Sequence, residues 1–388
     1  MKLIKTSARQ CEDLDARLAA LPDEITEEER DLFFRVVSTE LEDWQIRQIL
    51  EPSAIYRRQE SVLACHWHPE FVSMDMCRSR IETMFPNAQD HLIIPTQHNE
   101  LMSYGPYSGV EVDCYSSGFN QKVQLLLHFT NERVAEAHVL KSILTHTFKY
   151  RSSQLFEFMH CFTRPHQDRL DRAARNTGAD EQLVGFLCAM VGKIQTLLDD
   201  NWSSVPPMSV KNKLLRNFFD GLRPRYGDLF IDRAQAFLKA VKELVKQEFS
   251  LDYFYRASEV IEETRSLGGC VVIPHPEEFW PILLRGYDVD GYEVWNPQSR
   301  RYTEFLIEVV NRHNRTRAAS QRELLIFMGD DCHLGEKARP LEQQDPEKSI
   351  REVGLQPAWD DLNIRKKLII GEVSRNTVIR RYRERLAG

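Results

Sequence analysis

The sequence predicts an α/β fold in which parallel strands alternate with crossover helices, as in a (β/α) barrel. Seven short apolar runs, rich in branched residues, are typical of strands that are buried on both faces. These runs occupy residues 61–65, 91–96, 108–113, 123–127, 270–273, 291–296 and 324–328. Amphipathic stretches at residues 256–267 and 303–313 predict two of the connecting helices. Because strands and helices alternate here, we expect the strands to run parallel.

The composition excludes several classes of protein. Of the 388 residues, 42% are hydrophobic and 28% are charged, so the chain can bury a sizeable core. No apolar run approaches the ~20 residues that cross a bilayer, and residues 1–6 lack the apolar stretch of a secretory signal. The eight cysteines form no CxxC pair, which is typical of free thiols in a reducing compartment. We therefore expect a cytoplasmic protein with no membrane partner. Its net charge of -7 excludes a uniformly basic nucleic-acid binder.

Half of the 12 histidines lie at or just after the end of a predicted strand. These six are His66, His68, His98, His128, His275 and His333. The third predicted strand carries Glu111, and the last one leads into Asp331. Because the carboxyl ends of all strands in a (β/α) barrel meet at one rim, we expect these side chains to converge. Imidazole and carboxylate together are ligands of zinc, iron or manganese, so the sequence predicts a metal cluster.

The order of these residues resembles the motifs of the PHP (polymerase and histidinol phosphatase) domain of metal-dependent phosphoesterases. The similar segments are His66-Trp67-His68 with Asp75, Thr96-Gln97-His98-Asn99, Gly109-Val110-Glu111, Gly268 to Pro276, Asp290 to Asn296, and Gly329 to His333. They span residues 61–130 and 256–335. The resemblance implies a distorted seven-stranded (β/α) TIM-like barrel with a large helical insertion. It also implies two or three divalent metal ions, zinc, iron or manganese.

The resemblance also implies which residues bind each ion. The first ion would bind His66, His68, Glu111 and Asp331. The second would bind Glu111, His128 and His275. The third would bind His98, His333 and the acid that follows the first motif. For that acid we favour Asp75 over Glu70. Three departures from the family pattern are Gln97, which stands in place of an aspartate, Asp330, which stands in place of a serine, and a longer loop after His68, in which Glu70 and Asp75 compete. We expect Gln97 to alter the surroundings of His98 and Asp330 to add an acid beside the metals.

The remaining segments surround these two barrel halves, residues 61–130 and 256–335. We predict an N-terminal helical segment at 1–60, a helical insertion at 131–255, and a linker with a basic C-terminal helix at 336–388. The insertion could be a lid over the site or a packing or dimerisation element, and both alternatives stay open. Residues 373–378 are similar to the start of a helix-turn-helix recognition helix, so DNA binding by the tail also stays open.

The predicted function is hydrolysis of phosphate esters by a metal-bridging hydroxide, with no catalytic residue beyond the metal ligands. A small phosphorylated substrate is the favoured partner. One alternative is a nuclease of the same family that acts on DNA or RNA ends. Another is a catalytically inactive, metal-stabilised regulatory or binding module. Homo-oligomerisation is left open.

Overall fold

A computed structural model describes residue 14 and residues 16–164, 166–317 and 322–388. The chain forms two compact units. One contains residues up to Thr39 together with Lys149–Ser250, and the other contains Glu40–Phe148 together with Leu251–Gly388. We call these the helical unit and the sheet unit. All of the described strands belong to the sheet unit, and so does every residue predicted to bind metal.

The described strands are short except for one pair. They are β1 (Ser61–Ala64), β2 (Trp67–His68), β3 (Asp90–Ile93), β4 (Met102–Tyr104), β5 (Tyr107–Ser116), β6 (Gln121–Thr130), β7 (Cys270–Ile273), β8 (Gly291–Trp295), β9 (Leu325–Met328) and β10 (Cys332–His333). Strands β4 to β9 form one six-stranded sheet in chain order. Strand β1 pairs with β3, and β2 pairs with β10, in two further parallel pairs.

The described α-helices lie in both units. They are α1 (Glu27–Val37), α2 (Asp43–Leu50), α3 (Met74–Met84), α4 (Asn131–Val134), α5 (His138–Phe148), α6 (Tyr150–Thr163), α7 (Gln167–Thr177), α8 (Glu181–Asp200), α9 (Lys213–Gly221), α10 (Arg223–Tyr226), α11 (Asp228–Glu248), α12 (Ala257–Ser266), α13 (Thr303–Thr316), α14 (Leu334–Lys337), α15 (Pro346–Ser349), α16 (Leu362–Ile370) and α17 (Arg375–Ala387). No helix in the described part of the chain is long and apolar enough to span a membrane.

The predicted barrel is wrong, because the described strands form a mixed sheet and two small pairs without closing on themselves. Strands β5 and β6 are ten residues each and pair antiparallel along their whole length, from Tyr107 opposite Thr130 to Ser116 opposite Gln121. Residues 117–120 join them, and four residues are too few for the crossover that parallel strands require. Strand β6 is also antiparallel to β7. Parallel pairing in this sheet is confined to β7, β8 and β9.

The C-terminal helix α17 packs into the core of the sheet unit. Its residues Val378, Ile379, Tyr382 and Leu386 are buried, and the helix contacts β1, β3, β6 and β9. Ser374 caps its first turn by accepting a hydrogen bond from the backbone of Thr377. One face of the segment similar to a recognition helix is therefore occupied by the fold itself.

Residues 351–354, which precede α16, are also buried. Glu352 accepts hydrogen bonds from Arg80 on α3, at 2.6 and 2.9 Å, and from Lys337 at 2.7 Å. The backbone N–H of Gly354 donates to Asp330 at 2.8 Å. These contacts fix residues 351–354 against the end of β9.

The helical unit has its own apolar core, built from α1 and from helices α6 to α11. Its one fully buried ion pair joins Glu29 on α1 to Lys193 on α8, at 2.9 Å, among the residues that the structure describes. Glu29 also completes a capping box with Thr26 at the start of α1. Whether this unit covers the site or serves in packing stays a prediction.

Candidate metal centre

The pairing of β2 with β10 places His68 and His333 beside each other. Trp67 lies opposite Cys332, and His68 lies opposite His333. Because residues in register on neighbouring strands point the same way, the rings of His68 and His333 stack with centroids 4.2 Å apart. The backbone N–H of Asp331 donates to the carbonyl of His66 at 2.9 Å, which brings the turn after β9 beside the first motif.

His98 is held beside Glu111 by a short stretch of parallel pairing. The backbone of Glu111 donates to the carbonyl of Gln97 at 3.2 Å, and Asn99 donates to the carbonyl of Glu111 at 2.7 Å. The Nδ1 atom of His98 then lies 2.5 Å from Oε2 of Glu111. The His98 ring also stacks on His68, with centroids 4.3 Å apart.

Glu111 is one of two carboxylates at the centre of the cluster, and it is fully buried. Its oxygens lie 3.8 Å from Nε2 of His66, 3.6 Å from Nε2 of His68 and 3.4 Å from Nε2 of His275. Together with His98, four imidazoles therefore face this one side chain.

Asp331 is the second central carboxylate. Its Oδ1 atom lies 3.6 Å from Nε2 of His66, 3.5 Å from Nε2 of His68 and 3.5 Å from Nε2 of His333. The nitrogens and oxygens of these groups are close enough to share an ion. Two such sets are His66, His68 and Glu111, and His68, His98 and His333, whose ligand atoms lie within 4.8 Å of one another.

The residues present fit divalent metal ions, because several buried polar atoms in the cluster lack a hydrogen bond. These atoms are Nε2 of His66, both ring nitrogens of His68, both carboxylate oxygens of Glu111 and Nδ1 of His275. The contacts of Glu111 with the histidines are close enough for an ion pair, but they do not meet the geometry of a hydrogen bond. Unsatisfied buried nitrogens and oxygens are costly, and coordination to a cation would satisfy them. The mixture of imidazole and carboxylate suits zinc, iron or manganese.

Two of the nine residues predicted as ligands lie outside this cluster. The ring nitrogens of His128 are engaged elsewhere, since Nδ1 is 2.7 Å from the hydroxyl of Tyr382 and Nε2 is 3.0 Å from the carbonyl of Cys65. Asp75 lies in the first turn of α3 with its side chain 93% exposed, 3.7 Å from Arg78. The other seven predicted ligands come together, and their role as ligands stays a prediction.

Glu70, and not Asp75 as we expected from the sequence, lies beside His333 at the cluster. Its Oε1 atom lies 3.5 Å from Nδ1 of His333, and the residue is 9% exposed. The backbone N–H of Glu70 donates to the side chain of Gln97 at 3.2 Å, so Gln97 holds the backbone of Glu70 in place. Gly335 leaves room for the carboxylate, because a Cβ atom there would lie 1.9 Å from Oε2 of Glu70. Glu70 is therefore the acid of the first-motif loop that lies at the cluster.

Glu293 was not among the predicted site residues, although it lies in a recognised motif. Its Oε1 atom accepts a hydrogen bond from Nδ1 of His66 at 2.8 Å, and Oε2 accepts from the backbone of His275 at 2.7 Å. This carboxylate leaves Nε2 of His66 facing the cluster, as an acid behind a metal-binding histidine does. A Cβ atom at Gly329 would lie 1.3 Å from Oε1 of Glu293, so glycine there leaves room for this carboxylate. The sequence does carry a signal for Glu293, because it is a charged residue inside the apolar run 291–296.

Arg351 is a second residue that sequence reasoning missed, since it lies in the segment predicted as a linker. Its guanidinium donates to Oδ2 of Asp331 at 2.5 Å and to the Asp331 carbonyl at 3.2 Å. Arg351 is 5% exposed. It neutralises one oxygen of Asp331 and leaves the other facing the histidines. Nothing in the polar segment around Arg351 singles it out by sequence.

Asp330, expected beside the metals, instead binds backbone. It accepts hydrogen bonds from Gly354 at 2.8 Å and from Cys332 at 3.2 Å. Burial raises the pKa of Asp330 to about 8, against the effect of these hydrogen bonds. The side chain therefore anchors residues 351–354, including Arg351, to the end of β9.

The carboxylates at the centre stay ionised. Burial raises the pKa of Glu111, but the surrounding imidazoles, led by His98, hold it well below its usual range. The pKa of Asp331 is likewise lowered, against burial, by the nearby imidazoles of His333 and His68. Both side chains are thus in the form that a cation requires.

The histidines divide into charged and neutral rings. Burial lowers the pKa of His66, but the carboxylate of Glu293 and then those of Asp331 and Glu111 raise it to about 10. Burial, followed by the neighbouring His333 and His98 rings, lowers the pKa of His68 well below its usual range. His68 is therefore already in the neutral form that binds metal, whereas His66 would release a proton on binding one.

The backbone at the site is strained. Six described residues other than glycine have positive φ, and four of them lie here: Glu70 at 53°, Asn99 at 54°, His275 at 25° and Asp331 at 45°. Such conformations cost roughly 1–3 kcal/mol each and persist where surrounding contacts impose them, commonly at functional sites. At each of the three turns that carry Glu70, His275 and Asp331, this strain turns a side chain toward the cluster.

The fold and site together define a mixed α/β protein with a candidate metal centre of histidines and carboxylates. No protein-family model matches the chain, and no curated protein matches it. Among solved structures, the chain is similar to a "putative metal-dependent phosphoesterase" from Bifidobacterium adolescentis, at 16% sequence identity and a TM-score of 0.37. That similarity covers 80% of this chain and 96% of the other. It is too distant to carry an argument, so membership in the PHP family stays a prediction from the motifs.

Proposed function

We propose that this protein is a metal-dependent hydrolase of phosphate esters. The observation that carries the proposal is the convergence of five imidazoles on Glu111 and Asp331, with buried ring nitrogens and carboxylate oxygens left without hydrogen bonds. Clustered metal sites of this composition are widely used for phosphoryl chemistry. The order of the motifs, which resembles the PHP domain, agrees with the same reaction.

The residues divide between two groups that would each hold an ion. His66, His68, Glu111 and Asp331 would form one, and His98, His333 and Glu70 would form the other, while His275 supplements the first through Glu111. Divalent ions there would supply Lewis acidity toward phosphoryl oxygens and lower the pKa of a water molecule to near neutrality. Zinc, iron and manganese are the metals that we propose.

Other residues of the chain orient these groups. Glu293 fixes the ring of His66 through Nδ1, and Arg351 fixes the carboxylate of Asp331 through Oδ2. Because their partners cannot rotate freely, the central nitrogens and oxygens keep their spacing without reorganising during the reaction.

A small phosphorylated molecule is the substrate class that we propose. Most of the cluster is buried, and the side chains of His98 and His333 are more exposed, at 27% and 21%. A phosphate group would reach the cluster along this edge. The acid at the edge is Glu70, whose negative charge would disfavour a long polyanionic strand more than a single phosphate.

The proposal is tested by replacing His66 and His68 together with alanine. Metal content is measured by mass spectrometry, and hydrolysis is measured on p-nitrophenyl phosphate, its bis-ester and a single-stranded oligonucleotide. We expect the His66→Ala/His68→Ala variant to lose metal and to lose activity on the monoester by roughly a hundredfold or more. The matched control is His91→Ala/His138→Ala, which removes two exposed histidines outside the cluster.

Three results would overturn parts of this proposal. Unchanged hydrolysis in the His66→Ala/His68→Ala variant would exclude the cluster as the reactive site. Preference for the bis-ester or the oligonucleotide would replace the small-substrate proposal with a nuclease. Bound metal with no hydrolysis of any of the three compounds would favour the inactive binding module.

A further inference from the structure

A cavity in the sheet unit is rich in arginine and lies away from the metal centre. Its volume is about 560 Å³, within the range of small-molecule sites. The charged residues that line it are Arg133, Arg265, Asp288, Arg317, Arg322 and Arg385. Five positive side chains therefore meet one negative side chain at its wall.

The cavity and the metal centre occupy opposite ends of the same strands. Gly269, Asp288 and Arg322 line the cavity and precede β7, β8 and β9. His275 and Asp331 follow β7 and β9 at the other end. Strands of four or five residues separate the two places by about 13–17 Å. A ligand in the cavity would therefore be distinct from one at the metal centre.

Two of the five arginines are neutralised by acidic neighbours. Arg265 pairs with Asp288 at 2.9 Å and with Asp290 at 2.6 Å. Arg385 pairs with Asp290 at 3.3 Å and donates to the carbonyl of Glu323 at 2.6 Å. The charges of Arg265 and Arg385 are therefore already paired, and these two side chains are held in place at the wall of the cavity.

The other three arginines form no ion pair with an acidic side chain in the part of the chain that the structure describes. Arg133 donates to the carbonyls of Leu267 and Ala387, at 3.5 and 3.4 Å. Arg317 donates to the carbonyl of Arg322. Within the described ranges, no carboxylate pairs with Arg133, Arg317 or Arg322. Three like charges held on one concave wall repel one another, and an anion between them would remove that repulsion.

The backbone is shaped to admit one of these guanidinium groups. Gly268 has φ of 69°, and a Cβ atom there would lie 1.6 Å from Nη1 of Arg133. Only glycine combines that conformation with that space. Gly268, which follows α12, thus leaves room for Arg133 at the cavity.

We propose that this cavity binds a small phosphate-bearing anion, either free inorganic phosphate or a phosphorylated metabolite. Planar guanidinium groups donate paired hydrogen bonds that match the oxygens of an oxyanion, which favours phosphate over a halide. The site is independent of the proposed hydrolase activity, since it shares no residue with the metal centre.

Isothermal titration calorimetry at constant ionic strength tests this proposal with three probes: inorganic phosphate, pyrophosphate and AMP. The test variant is Arg317→Ala/Arg322→Ala, and the control is Arg58→Ala/Arg312→Ala, which removes two exposed arginines outside the cavity. We expect the wild-type protein to bind at least one probe. The test variant should bind it about tenfold or more weakly, and the control within about twofold. The His66→Ala/His68→Ala variant should retain binding.

The relative affinities identify the source of the phosphate. Tighter binding of AMP than of the inorganic ions supports a phosphorylated metabolite, and the reverse supports a free anion. The proposal is overturned if no probe binds, if the Arg317→Ala/Arg322→Ala variant binds normally, or if binding disappears only in the His66→Ala/His68→Ala variant. Should the double variant fail to fold, Arg322→Glu changes a single exposed residue and must still weaken binding.

Discussion

At the scale of single residues, the candidate metal centre depends on side chains that hold other side chains. Glu293 fixes His66, and Arg351 fixes Asp331, each through the atom that faces away from the cluster. Nε2 of His66 and Oδ1 of Asp331 therefore point toward the centre of the cluster. A histidine or an aspartate alone could rotate away, so the precision of the site comes from these buried partners.

The choice between Glu70 and Asp75 gives a prediction at this scale. Because Glu70 lies 3.5 Å from His333 while Asp75 is exposed on α3, we expect Glu70→Gln to weaken metal binding by about tenfold or more. Asp75→Asn removes the same charge from a position five residues further along the chain and serves as the control. Metal content after dialysis against graded chelator concentrations measures both.

The opposite ranking would contradict the geometry. If Asp75→Asn lost metal while Glu70→Gln kept it, the loop after His68 would have to adopt another conformation when a cation binds. Equal metal content in both variants would show that neither acid contributes, and that His98 and His333 hold their ion without a carboxylate.

At the scale of elements, strand positions could be predicted but strand directions could not. The apolar runs 61–65, 270–273 and 324–328 coincide with β1, β7 and β9 to within a residue. The runs 108–113 and 123–127 are parts of β5 and β6, whose short connection makes them antiparallel. Apolar runs report burial, whereas direction is set by connection length and by tertiary pairing. The hairpin was detectable from the short polar stretch between the two runs.

The same reversal explains why His128 lies outside the cluster. In a parallel barrel, a residue at the end of its strand would reach the rim with the other histidines. Strand β6 is antiparallel to β7, and His128 pairs with Cys270 at the start of β7, whereas His275 follows the end of that strand. His128 instead joins β6 to helix α17 through Tyr382. The other five histidines still converge, because each lies on a strand or turn that reaches the site.

The contact between β6 and α17 gives a prediction about pH. Burial lowers the pKa of His128 to about 3, far below the value near 6.5 of an unfolded histidine. Between these two pKa values only the unfolded chain takes up the proton, so stability is full above pH 6.5 and falls as the pH decreases. At pH 5 the cost is about 2 kcal/mol.

The measurement compares denaturant unfolding of the wild-type protein and of His128→Gln at pH 7 and pH 5. Glutamine can accept from Tyr382 and donate to the carbonyl of Cys65, but it does not titrate. We expect the wild-type protein to lose about 2 kcal/mol more than the variant over this interval. Equal losses would show that His128 is protonated in the folded state or exchanges its partners.

At the scale of the whole molecule, the two units have separate apolar cores. Buried aromatic and aliphatic residues of α1 and α6 to α11 form one core, which includes Phe186, Phe218 and Phe237. The core of the sheet unit is formed by its strands together with helices that include α12, α13 and α17. The residues proposed to bind metal all belong to the sheet unit. Metal binding should therefore stabilise one unit directly and leave the other unaffected.

Differential scanning calorimetry with and without a chelator tests this separation. We expect two unfolding transitions, because each unit buries its own core and need not unfold with the other. Chelation should lower the midpoint of one transition by several degrees, since a ligand at about a hundred times its Kd contributes roughly 2.7 kcal/mol. The His66→Ala/His68→Ala variant should show a lowered midpoint without chelator and a smaller further change when chelator is added. A single transition, or equal shifts in both, would mean that the two units unfold as one and that the metal centre stabilises the entire chain.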